Sequence, residues 1–304
     1  MRQLKPALTI DEQIELLKSR NMEITDIKAA HIFLQRTNYY RFSGYAFIFQ
    51  KPNDQYQKGT TFEHIVKLMS FDEEMRRNLM VALESAEIYA RSIIAHTFSL
   101  LHNKDGGAHY NSSFFENQLY HEEYLNTLQD LIAQNASQPF VSHHIHAFGG
   151  KMPIWCAVEL MSFSTLSKLY SNMNKHDKDL IASQMNMDAP HLTNWLHCFS
   201  VLRNACAHYG RLYNLIYSPK VSLGGAFLRS NPDVSQDTLF AYIVALLRFL
   251  PDDLNKKHFV LHLDELIERN LSLIQLPLIG FPQNWKYILN DHKNISLKPV
   301  SGRE

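Results

Sequence analysis

The chain has 304 residues, 45% of them hydrophobic and 20% charged, so it can bury a sizeable core without disulfides or metals. Lysine plus arginine and aspartate plus glutamate are both 30, and the formal net charge is zero. This excludes a globally basic nucleic-acid binder, so any contact with RNA or DNA must come from a local patch.

Cys156, Cys198 and Cys206 are the three cysteines, and none sits in a C-x-x-C pair. They read as reduced thiols of a cytoplasmic protein rather than a disulfide framework or zinc knuckle. The N-terminus has no apolar signal segment, and no run approaches 18 apolar residues, so no membrane span is expected.

In chain order, Thr9 followed three residues later by Glu12 has the pattern of a capping box opening a helix. A second short helix is expected from about Ile24 to Thr37. The aromatic piece NYYRFSGYAFIFQ that follows reads as core packing rather than a cofactor site. Phe71 to Leu101 contains no Gly or Pro and repeats apolar residues at steps of three and four, through Met75, Leu79, Leu83, Ala86, Ala90 and Ile94. Glu87 and Arg91 share a face of that helix, four residues apart.

Further helices are expected over His121–Ala136, Ile154–Met173 and Lys175–Asn186. A turn is expected through SQPFVSHHIHAFGGKMP, where His143, His144 and His146 cluster. Asp188-Ala-Pro can open the next helix, with Asp as N-cap and Pro in the first turn. That helix is expected to run to about Tyr217. A loop of 16 residues, VSLGGAFLRSNPDVSQ, two helices near Asp237–Leu250 and Lys256–Leu273, and an irregular tail from Leu276 complete the chain. The fold class is all-α. Sixteen histidines form no H-E-x-x-H motif, and nothing asks for a metal or a cofactor.

The helix after Asp188 carries the chemistry. At about 100° per residue, Leu202, Ala205, Cys206, Tyr209, Leu212, Tyr213 and Ile216 fall on one broad apolar face. Asn204, His208 and Arg211 fall within about 60° on the opposite side, with Arg203 at the border. Histidine can exchange protons near neutral pH. Arginine offers a fork of donors suited to phosphate, and asparagine can orient either. The set suits phosphodiester cleavage without a metal.

R-N-A-C-A-H, Arg203 to His208, resembles the R-x4-6-H signature of HEPN domains, many of which are metal-independent ribonucleases. The blocks NYYRFSGY, FDEEMRRNLMVALESAEIYARS, MPIWCAVELMSFSTLSKLY, LRNACAHYGRLYN and GFPQNW resemble, in order, those of the Abi family of bacterial abortive-infection proteins, AbiD- and AbiF-like. The resemblance implies a HEPN-like helical bundle elaborated with N- and C-terminal helices, as one domain over 1–304. Its N-terminal helices would span 1–60, its HEPN-like core 61–217, and its C-terminal helices and tail 218–304.

The implied activity is RNA cleavage in phage defence, by a composite site at a homodimer interface. The implied partners are substrate RNA, with a small non-coding RNA as a further candidate, and a second copy of the chain. His208 would be the general acid/base, Arg203 the phosphate ligand, and Asn204 the orienting group. Arg211 would add a phosphate contact, and Glu87 and Arg91 would buttress Arg203 or His208. His144 falls in a segment that often holds a histidine in relatives. The alternative is a non-catalytic RNA-binding module that holds a structured RNA or a translation component.

Overall fold

A computed structural model describes residues 6–291. Residues 1–5 and 292–304, the first part of the N-terminal segment and the last part of the expected irregular tail, lie outside the described residues. The described chain is all-α. It forms no β-strand, only three isolated bridges.

The helices are α1 (Ile10–Ser19), α2 (Ile27–Arg36), α3 (Tyr39–Ala46), α4 (Phe62–Leu101), α5 (Gln118–Gln134), α6 (Pro139–Phe148) and α7 (Ile154–Leu160). They continue as α8 (Phe163–Asn172), α9 (Lys175–Gln184), α10 (Ala189–Ala207), α11 (Gly225–Ser230), α12 (Leu239–Phe249), α13 (Asp253–Glu268) and α14 (Trp285–Asn290). No helix among the described residues is long and apolar enough to cross a membrane.

The organising element is α4, 40 residues and so ~60 Å long at about 1.5 Å per residue. It packs against α3, α7, α9, α10, α12 and α13. Met75, Leu79, Leu83, Ala86, Ala90 and Ile94, the stripe legible in the sequence, are all fully buried. Most of α12 is apolar and buried on every side, as expected of a helix enclosed by others.

Local signals act as expected at several starts. Thr9 and Glu12 form the capping box of α1. Asp188 accepts the His191 N–H at 2.8 Å to open α10, with Pro190 in the first turn. Ser162, which breaks the expected helix over 154–173 into α7 and α8, caps α8 by accepting from Thr165 N–H.

Other expectations are corrected. The turn expected around His143 is helix α6, begun by Pro139 and closed by Gly149 at φ +61°. The expected 16-residue loop contains α11, and the start of the tail contains a 3₁₀ turn, Leu276–Ile279, and α14. The main correction is at α10, which stops at Ala207 rather than Tyr217. Tyr209 enters the left-handed region at φ +58°, its N–H donates to the Cys206 carbonyl, and the Gly210 N–H reaches back to the Ala205 carbonyl at 2.7 Å. These are the two hydrogen bonds of a Schellman helix end, with a tyrosine where glycine is usual.

Candidate active site at the end of α10

Helix α10 presents its three polar motif residues to three different surroundings. Arg203 points toward α4, where its Nε lies 3.7 Å from a Glu87 carboxylate oxygen. Asn204 points toward α8 and donates from its side-chain amide to the Ser164 hydroxyl at 3.2 Å. His208 is the C-cap residue, and its backbone N–H closes on the Asn204 carbonyl. Its ring is exposed and makes no hydrogen bond or ion pair among the described residues.

Glu87 is buried, and its second oxygen accepts from Arg91 at 2.6 Å. Arg91 donates in turn to the Met161 carbonyl at 2.7 Å and stands 3.6 Å from Glu159. One carboxylate on α4 thus links Arg203 of α10 to Arg91, and Arg91 ties α4 to the α7–α8 break. The break serves the motif from both sides, since Met161 receives Arg91 and Ser164, three residues on, receives Asn204. With one contact to Glu87, the Arg203 guanidinium keeps most of its N–H groups for an anion.

Arg211 is not where the helical wheel places it. Because α10 ends at Ala207, Arg211 is no longer one turn beyond His208; its guanidinium donates to the Gly44 carbonyl of α3. Leu212, Tyr213 and Ile216 likewise leave the helix, and their expected helical face does not exist.

The segment after the motif is held by a group that sequence reasoning passes over. Asp72 of α4 is 1% exposed and accepts from the backbone N–H groups of Leu212 and Tyr213, from the Tyr45 hydroxyl and from Arg76. Arg76 also donates to the Gly210 carbonyl at 3.0 Å, and Arg41 donates to the Tyr209 carbonyl at 2.6 Å. Burial pushes the Asp72 carboxyl up from its ordinary value, against the pull of these donors. The signal was present as Asp72 and Arg76 four apart in FDEEMRR, the spacing that singled out Glu87 and Arg91.

His144 lies on α6, where its Nδ1 pairs with the Phe140 carbonyl and its ring meets His143 and Phe148. No bond or ring contact among the described residues links it to the motif. Cys206 lies inside the motif, yet burial pushes its thiol up to about 12, so it stays protonated at neutral pH and is no nucleophile. No group of three or more His, Cys, Asp or Glu among the described residues is arranged to hold a metal ion.

Residues 32–214 match the family model described as Abi-like protein. The chain belongs to the Abi-like protein family. The matched span runs from α2 to just past the Asp72 clamp, so this Abi-like protein carries Glu87, Arg91, Ser164, Arg203, Asn204 and His208 all within the family region. No curated protein and no solved structure matches the chain.

Proposed function

We propose that this Abi-like protein is a metal-independent endoribonuclease of a bacterial abortive-infection system, built on a HEPN-type bundle and acting as a homodimer. The observation that carries the reading is the division of labour at the end of α10. Arg203 is steadied by Glu87, Asn204 is tied to Ser164, and the His208 ring is left open.

In this reading the RNA 2′-hydroxyl attacks the adjacent phosphorus and gives its proton to a His208 ring nitrogen. Arg203 balances the charge on the phosphate oxygens as the bond to the 5′-oxygen breaks. That oxygen leaves with a proton from His208 of the second copy, giving a 2′,3′-cyclic phosphate and a 5′-hydroxyl. Asn204 keeps the motif in register with α8. Glu87 and Arg91 are positioning residues, and Arg211 supports the loop that follows.

A composite site also suits the surface around His208. Tyr209 is 71% exposed, and Tyr40, next to the Arg41 that binds Tyr209, is 84% exposed. Exposed apolar side chains gathered beside a site suit an interface.

The test is cleavage of labelled single-stranded RNA by the full chain and by His208→Ala, with and without EDTA, alongside light scattering. Expected are dimers, cleavage indifferent to EDTA, and a loss of at least about a hundredfold in the variant, the low end of what general acid–base groups supply. Because the ring is exposed and makes no hydrogen bond or ion pair among the described residues, thermal stability should be unchanged. EDTA-sensitive cleavage that persists in His208→Ala rejects the mechanism. RNA binding and biological activity that both survive the substitution would instead favour the non-catalytic module. A monomer with full activity rejects the composite site.

A further inference from the structure

We propose that the groove between α8 and α10 is the channel along which single-stranded RNA reaches His208; this rests on the ribonuclease reading. The groove has a volume of about 780 Å³. Ser164, Lys168 and Ser171 of α8 face Thr193, His197 and Ser200 of α10, and Lys175 and Lys178 of α9 close the far end.

Its near end adjoins the motif, because Ser164 lines the groove and also accepts from Asn204. On α10, Thr193, His197, Ser200 and Asn204 recur at steps of three and four and lead to the C-cap His208, so one strip of the helix runs from groove to site. From Pro190 to Asn204 the helix rises ~21 Å at about 1.5 Å per residue. That length spans about six stacked nucleotides at ~3.4 Å each.

The chemistry of the lining selects the ligand. Serine and threonine hydroxyls and lysine ammonium groups are the side chains that hold phosphates without reading sequence. The charges are graded along the groove. Lys178 is neutralised by Glu116 at 2.9 Å, and Lys175 is near Asp179 at 3.9 Å. Lys168, midway, is exposed and has no acidic partner among the described residues. A phosphate therefore binds at Lys168, and the compensated far end marks where the track stops. The groove, at about 780 Å³, has no room for a duplex and can take only one strand along it.

The experiment measures binding of a fluorescein-labelled single-stranded RNA 12-mer, in the His208→Ala background so that nothing is cut, across a salt series. Lys168→Glu should raise Kd at least about fivefold, and Lys168→Ala should lower the salt slope by about 0.7, the value for one phosphate on a single strand. With His208 intact, Lys168→Glu should raise KM and leave kcat at saturating RNA near wild type. Lys168 is exposed, so equal melting temperatures serve as the folding control.

Unchanged Kd and KM in Lys168→Glu, with His208-dependent cleavage present, overturn the groove and leave the ribonuclease standing. Weakened binding in Lys168→Glu, without any His208-dependent cleavage, supports the groove and overturns the ribonuclease. A duplex of the same sequence bound as tightly as the single strand, or an acidic peptide that displaces it equally well, overturns the proposal. So does absence of RNA binding by the wild-type chain.

Discussion

Asp72 shows how much one side chain can decide. A buried carboxylate with four donors is stable only while all of them stay in place, and removing it strands Arg76 and two backbone N–H groups. Asp72→Ala is expected to cost about 3–5 kcal/mol, measured by urea unfolding. It should also free the 210–213 segment and abolish cleavage in whatever protein still folds. A loss under about 1 kcal/mol would mean that the cluster does not hold that segment. The same neighbourhood shows the limit of reading residues one at a time. A helix end is legible when glycine stands at the left-handed position, as Gly149 does after α6. Here Tyr209 takes that position, and Gly210 follows because a Cβ there would meet the Ala205 carbonyl oxygen at 2.9 Å. The apolar period continued through Leu212 and Ile216, and that continuation outweighed Gly210, the one local sign of the stop.

At the scale of elements, the period of 3.6 made α4 legible because one stripe of large apolar residues meets several neighbours along its whole length. Periodicity fails where a short break falls between two helices of similar character. Thus α7 and α8 read as one helix, although their break at Met161–Ser162 is what braces the motif. The Glu87–Arg91 spacing was visible on one helix, whereas their link to the motif came only from the family resemblance, since Arg203 lies on a different helix and tertiary packing brings it to 3.7 Å. This arrangement separates positioning from chemistry. Glu87→Gln keeps the shape of the side chain and removes the charge that steadies both arginines. Expected are a destabilisation of about 2 kcal/mol and a fall in kcat larger than the rise in KM. Stability and kinetics measured on the same preparation check it. A variant with wild-type kcat would show that Glu87 serves the fold alone.

For the whole molecule, composition and the scarcity of glycine and proline suffice for the all-α class, because long uninterrupted apolar periods leave few other ways to bury them. The α8–α10 groove was not legible, being a product of how three helices pack. Nor was the acid sensitivity expected of one enclosed histidine, since sixteen histidines in a sequence do not say which are enclosed. His109 is fully buried: Tyr124 hydroxyl donates to its Nδ1 at 2.6 Å, and its Nε2–H donates to the Met152 carbonyl at 3.0 Å. Burial, reinforced by the neighbouring His121 and opposed by the Met152 carbonyl and Asp105, pushes its pKa down to about 4 from an ordinary 6.5. The folded ring therefore stays neutral over a range in which the unfolded chain takes up a proton, so stability falls as pH drops from 6.5 to about 4 and is retained above that window. At about 1.4 kcal/mol per pH unit, His109 alone should cost about 2 kcal/mol between pH 7 and pH 5. Urea unfolding at the two pH values should show that loss in the wild-type chain and about 2 kcal/mol less of it in His109→Gln, whatever the variant's starting stability. Equal losses in the two proteins would place the acid sensitivity elsewhere, and the ring would then have to be accessible to protons in the folded state.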